Sequence, residues 1–287
     1  MSTALVTDST AYLPADALEG LPVHVVPLHV VIGGREHREG LDVGADEVAS
    51  ALHAFTPVST SRPAPAAFLE AYRAAAGAGA DAVVSVHISG ELSSTVGGAE
   101  LAAADSPVPV TIVDSRALGM VMGHAVLAGA RRARDGGSTE EVAELVRATC
   151  AGATVVFYVD TLEYLRRGGR IGRAGALVGS ALAIKPILGL RDGQIVPLER
   201  VRTSSRAIAR IEEIGVEAAE AALDAGSPAV DVAVHHLDSR ERADRLAERL
   251  GSRLPGSRVD VVELGAVVGA HVGPGTLAVA VVPRPAG

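Results

Sequence analysis

A chain of 287 residues, 48% hydrophobic yet only 2% aromatic and without tryptophan, has apolar material for two modest domains with aliphatic cores. The aromatic shortage excludes stacking platforms for bases, and a formal charge of −8 excludes the net basic face that non-specific nucleic-acid binding requires. Cys150 is the single cysteine, so an intrachain disulfide is excluded and a reducing cytoplasm is the expected compartment.

Taken in chain order, the first half alternates strand and helix signals. Ala4–Thr7 reads as a buried strand, followed by the polar turn Asp8–Thr10 and a helix beginning near Pro14. Val23–Val31 is one β-rich run ending at Gly33-Gly34. Ala45–Phe55 and Ala64–Ala76 are alanine-rich helices, and Ala82–Ile88 and Val110–Val113 are apolar strands. Helices are expected over Arg116–Asp135 and Thr139–Ala151, the second opened by the capping pair Ser138 and Glu141. Repeated β-loop-α order points to a parallel sheet with helical crossovers.

After Gly152 the pattern changes. The strand Val155–Val159 leads into a short helix and a basic turn, where Arg166, Arg167, Arg170 and Arg173 surround Gly168, Gly169 and Gly172. Glycines at the centre of a charge run imply a sharp turn or a close approach. A small-residue helix is expected next, then a hairpin of Ile184–Leu190 and Gln194–Val201 about the turn dipeptide Asp192-Gly193. Helix Ser204–Ala225, strand Val230–His235, helix Glu241–Leu250 and strands Arg258–Glu263 and Leu277–Val282 complete an α+β pattern. The fold class is thus α/β with two domains. Residues 1–152 form a Rossmann-like parallel-sheet domain and residues 153–287 an α+β domain. The opening residues lack the basic region and apolar core of a signal peptide, and Ala266–Val282 is too broken by His271, Pro274 and glycines to span a membrane. A soluble protein is expected.

Three first-half loops are loaded with hydroxyls: Asp8-Ser9-Thr10, Ser59-Thr60-Ser61 and Ser89–Thr95. Loops beyond the carboxyl ends of parallel strands converge on one crevice, and hydroxyls beside helix N-termini make an anion receptor. For any single hydroxyl, helix capping is the plainer reading. Three such loops on one edge, with no accompanying acid-base pair, favour binding. In Thr60-Ser61-Arg62-Pro63, the proline holds Arg62 extended and delays the next helix. His271 stands in the glycine-rich turn Gly269–Thr276, where packing alone does not call for an imidazole. His235 and His236 are neighbours on one strand, point to opposite faces and read as bland. Metal-ligand spacings, dinucleotide and phosphate-loop glycine patterns and the hydrolase elbow are all missing from the sequence.

Five motifs in order resemble the DegV family of bacterial fatty-acid-binding proteins: V-T-D-S-T-A-Y-L-P, T-S-R-P-A-P, I-S-G-E-L-S-S-T, F-Y-V-D-T-L-E-Y-L-R-R-G-G-R-I-G with A-I-K-P-I-L, and H-V-G-P-G-T. The resemblance covers essentially the whole chain. It implies one long-chain fatty acid, such as palmitate, held in a tunnel between two domains, with no other cofactor. By this likeness Thr60, Ser93 and His271 bind the carboxylate and Ser61 is a near neighbour. Ser94 stands where the family has glycine, and Val96 where it has an aromatic, which leaves the choice between Ser93 and Ser94 open. The resemblance also implies a carrier that presents its acid to a fatty acid kinase, with at most transient membrane contact. Arg170 and Arg202 would then support the partner encounter and phosphoryl transfer. Two other readings stand beside it. One is an acyl- or phosphoryl-transfer enzyme with Ser93 as nucleophile and His271 as base; the other is a polyol phosphoryl-acceptor subunit.

Overall fold

Every side chain of β1 (Thr3–Asp8) is buried, as in a strand covered on both faces. In the computed structural model, which describes residues 2–177 and 184–285, this strand lies inside a parallel sheet of order β2-β1-β6-β7. Its neighbours are β2 (Val23–Val26) and β6 (Ala82–His87), and β7 (Val110–Asp114) pairs with β6 at the edge. Alternating side chains serve opposite layers. Leu5, Val84 and Val86 pack under α4 (Met120–Arg134) and α5 (Thr139–Ala151), whereas Ala4, Val6 and Val83 meet α2 (Pro65–Gly77) and α3 (Thr95–Ala103). The Ser138–Glu141 capping box opens α5 as expected.

The run Val23–Val31 is not one strand. Pro27 cannot donate to a ladder, and at that point the chain leaves the parallel sheet. It continues as β3 (His29–Ile32) in an antiparallel sheet of order β4-β3-β5, with β4 (Arg35–Arg38) and β5 (Val58–Ser61). Ser59-Thr60-Ser61 is therefore strand, not loop. The helix expected near Pro14 is only a single tight turn over Asp16–Leu18. Helix α4 starts at Met120 rather than Arg116, because Arg116 and Gly119 both adopt positive φ, at 49° and 63°.

The second sheet is mixed, with order β10-β9-β8-β13-β11-β12. It comprises β8 (Thr154–Tyr158), β9 (Lys185–Arg191), β10 (Gln194–Val201), β11 (Val230–His236), β12 (Arg258–Glu263) and β13 (Leu277–Pro283). Its Val156, Tyr158, Val232, Val234 and Val279 pack beneath α7 (Ser204–Asp224) and α8 (Arg240–Arg253). The intervening residues Phe157, Ala278 and Ala280 face the first half of the chain. Asp192 and Gly193, both at positive φ, close the β9–β10 hairpin. After β8 come α6 (Glu163–Arg167) and a tight turn over Gly172–Leu177. The rest of the expected small-residue helix, 178–183, lies outside the described residues. Helix α9 (Ala266–Val272) packs on α1 (Ala45–His53) and on β3 and β5, so a late helix completes the core beneath the three-stranded sheet. Among the described residues, no helix is long and apolar enough to cross a membrane.

Candidate functional site

Between the inner face of the six-stranded sheet and the first half lies a cavity of about 300 Å³, within the range of small-molecule sites. Its floor is built from alternate strand residues: Ile195 on β10, Leu190 on β9, Val155 and Phe157 on β8, Ala278 and Ala280 on β13, and His235 on β11. Four inter-strand steps separate Ile195 from His235, a span of roughly 19 Å. Leu118, Leu264, Val268 and Val272 help close the roof, so the interior is almost wholly aliphatic.

Polar residues in the lining are Thr60, Ser61, Arg62, Ser93, Ser94, Arg170 and His271, with Thr276 bonded to the end of α9 and His235 in the floor. Thr60 comes from β5 and His271 from the last turn of α9, not from the turn beyond it. Thr60 Oγ1 and His271 Nε2 are 2.7 Å apart, a hydrogen bond between residues remote in sequence. His271 Nδ1 is enclosed and has no partner among the described residues. Burial, with a smaller contribution from the Arg170 charge, holds the His271 pKa down to about 4, so its imidazole is neutral at neutral pH.

Two glycine motifs explain each other here. A Cβ on Gly168 would collide with the His271 ring, and one on Gly273 or Gly275 with Tyr164 or Asp160. The backbone of R-R-G-G-R thus presses against the His271 side chain, while Tyr164 of α6 and Asp160, just past β8, fill the space left bare in H-V-G-P-G. Arg170 then ties this unit to the serine loop, donating from Nε to Leu92 O at 2.9 Å and from Nη1 to Gly168 O at 2.7 Å. Both acceptors are neutral carbonyls, so the guanidinium keeps its charge in the cavity wall. Arg170 therefore lines the cavity. Arg202 is exposed, precedes the Thr203 cap of α7, and does not line the cavity.

The serine loop joins β6 to α3. Ser89 is buried and donates to Gly193 O at 2.8 Å, fixing the loop to the β9–β10 turn. The Leu92 and Ser93 N–H groups both donate to Ser89 O. Ser93 Oγ lies 2.8 Å from Thr95 Oγ1, and Ser94 occupies the exposed N-cap position of α3 without a side-chain cap bond. Ser61, on the alternate side of β5 from Thr60, donates to Glu36 Oε1 at 3.1 Å.

The remaining hydroxyl loop is spent on structure. Thr10 donates to Asp8, and Ser9 Oγ donates to Glu39 while accepting the Leu28 N–H. Asp8 also meets His87 Nδ1, whose Nε2 lies 2.7 Å from Ser85 Oγ. That Asp-His-Ser order imitates a nucleophilic triad, but Ser85 is fully buried beneath Tyr72 and offers no nucleophile to solvent or cavity. His235, bland in the sequence, forms part of the cavity wall and accepts the Met120 N–H at Nε2. No sequence signal marked His235 or Glu39. Among the described residues, no group of three or more His, Cys, Asp or Glu could hold a metal.

The family model described as an uncharacterised protein of the DegV family matches residues 2–284. A DegV domain-containing protein of Streptomyces coelicolor is 52% identical over 282 residues, covering 98% of either chain. One from Mycobacterium tuberculosis is 38% identical, covering 98% of this chain and 97% of its own. Among solved structures, a DegV family protein from Thermus thermophilus, described for its fatty acid binding, superposes with a TM-score of 0.90 at 36% identity. It covers 99% of this chain and 100% of its own. DegV of Bacillus subtilis, described as a fatty acid binding protein, gives 0.89 at 31% identity over 99% of both.

Proposed function

The chain belongs to the DegV family, and from that premise we propose that it binds one long-chain fatty acid and presents it to a fatty acid kinase for conversion to acyl phosphate. The observation that carries the binding reading is one cavity that joins a mostly aliphatic floor to the polar side chains Thr60, Ser93, Arg170 and His271. A fully extended backbone advances about 1.2 Å per bond, so a span of roughly 19 Å takes about 16 bonds. Burying about 14 methylenes at ~0.8 kcal/mol each gives a gross gain near 11 kcal/mol, reduced by the cost of association. The carboxylate must recover its lost hydration through hydrogen bonds. If His271 donates from Nε2 to Thr60 Oγ1, the threonine proton is left for the ligand, and Ser93 supplies a second donor. The Arg170 guanidinium beside them suits a carboxylate and, after transfer, a phosphorylated head group. Arg202, exposed outside the cavity, is left to the encounter with the kinase.

A nucleophilic enzyme needs its serine and base within hydrogen-bond reach. Here Ser93 is paired with Thr95 and His271 with Thr60, which suits donors for an anion better than a nucleophile and its base. Denaturing extraction of the protein as purified, followed by mass spectrometry, tests the reading. Close to one equivalent of C14–C18 fatty acid is expected, and recovery of polar metabolites alone defeats it.

A further inference from the structure

Glu39 is only 5% exposed and lies where three separate segments meet. Its Oε1 accepts the Val267 N–H at 2.8 Å in the first turn of α9, and its Oε2 accepts the Ser9 hydroxyl. Ser9 Oγ in turn accepts the Leu28 N–H at 3.0 Å, so the carboxylate joins the end of β1, the start of β3 and α9. Gly265 is what admits it, because a Cβ there would collide with Glu39 Oε1 and stand 2.7 Å from the Tyr12 ring. Among the described residues no cation faces this carboxylate; the titratable neighbours are Asp8 at the end of β1 and Tyr12. His235 stands edge-on to Tyr12 at 6.2 Å, and His271 with Arg170 occupies the opposite end of α9.

Val267 precedes His271 by about one helical turn, roughly 6 Å along the axis. A charge on Glu39 therefore acts, through a poorly hydrated interior, on whatever anion Thr60 and His271 hold. We propose that Glu39 is a positioning residue that makes retention of the carboxylate proton-linked: it anchors α9 in both protonation states, and its ionisation opposes the ligand's charge. This rests on the fatty-acid reading of the cavity. Burial raises the Glu39 pKa to about 7, despite the two hydrogen bonds that favour its ionised form. The change thus falls inside the physiological range. Protonated, Glu39 leaves the mouth to its donors and Arg170; ionised, it adds a second negative charge on the order of 10 Å from the ligand's own.

The test titrates ligand-free and ligand-bound full-length protein between pH 6 and pH 8. Wild type should bind hexadecanoate about 5- to 15-fold more weakly at the higher pH, and hexadecanol equally at both. Glu39→Gln, isosteric and able to keep the Val267 bond, should bind the acid with no such dependence. Equal pH dependence for acid and alcohol, or an unchanged dependence in Glu39→Gln, overturns the proposal. In parallel, the His271 Cε1–H resonance of ligand-free wild type should show a step near pH 7, well above its own titration. A flat trace there overturns the proposal without recourse to ligand or variant. Failure of wild type to bind either acid or alcohol defeats the fatty-acid reading instead, and the resonance still decides the role of Glu39.

Discussion

At the scale of single residues, the candidate site is defined by hydroxyls and one imidazole that hold each other in place. Thr60 and His271 are bonded across the fold, Ser93 is steadied by Thr95, and Arg170 supports the loop between them. A hydrogen bond to a charged carboxylate is worth ~1.5–3 kcal/mol, so Thr60→Ala or Ser93→Ala should weaken acid binding by about 10- to 150-fold. A fatty alcohol of equal length should lose far less, which parallel titrations of both ligands would show. If Ser94→Ala gives the acid-selective loss and Ser93→Ala does not, the principal donor is the exposed cap residue. Thr60, Ser93 and His271 were named through the family resemblance, since each hydroxyl alone reads as a helix cap. Glu39 was not, since R-E-H-R-E-G looks like a solvated charge run until Gly265 makes room for one of its carboxylates.

At the scale of elements, strands covered on both faces and helices with caps could be read with little displacement. Thr139–Ala151 carries its own start signal, and Asp192-Gly193 its own turn. The three-stranded sheet could not be read. Its β4 is R-E-H-R, with no apolar alternation, and β5 is V-S-T-S, four residues that resemble a capping loop. Their strand character comes from β3 between them and from α9, contributed by a distant part of the chain. The same non-local dependence governs the serine loop, whose position relies on the β9–β10 turn. A Cβ on Gly193, at φ 78°, would collide with Ser89 Oγ and also strain the backbone. Gly193→Ala should therefore destabilise the protein by ~1–3 kcal/mol and weaken acid binding, although the residue is outside the polar cluster. Denaturant unfolding with a parallel acid titration checks this; lost stability with unchanged affinity would mean that the hairpin does not position Ser93.

At the scale of the whole molecule, the cavity separates buried ionisable groups whose demands on pH oppose each other. His271 and His235 are both held down to about 4, chiefly by burial, whereas burial raises Glu39 to about 7. Each histidine favours the folded state while neutral. Its contribution is complete above its ordinary value of 6.5 and is lost as pH falls from there toward 4. Glu39 has the opposite sign. Its neutral form is favoured in the fold, so stability drains away as pH rises from its ordinary 4.5 through about 7. Burial lowers His24, His124 and His236 as well, so between those limits the histidines outweigh the one carboxyl and stability should rise with pH, while Glu39 alone subtracts up to about 1.4 kcal/mol per unit, the value of one proton. Above 6.5 the residual histidine and Glu39 slopes nearly cancel, so the profile should flatten. Calorimetric unfolding across pH 4.5–8 should accordingly show wild-type stability rising and levelling off near pH 7. Glu39→Gln removes the opposing slope across the whole window, so its melting temperature should climb more steeply with pH than that of wild type between pH 4.5 and 7 and run parallel to it above. A wild-type profile parallel to that of Glu39→Gln from pH 4.5 to 8 would show that Glu39 is ionised at little cost in the folded protein, and the proton linkage assigned to the carboxylate site would fall with it.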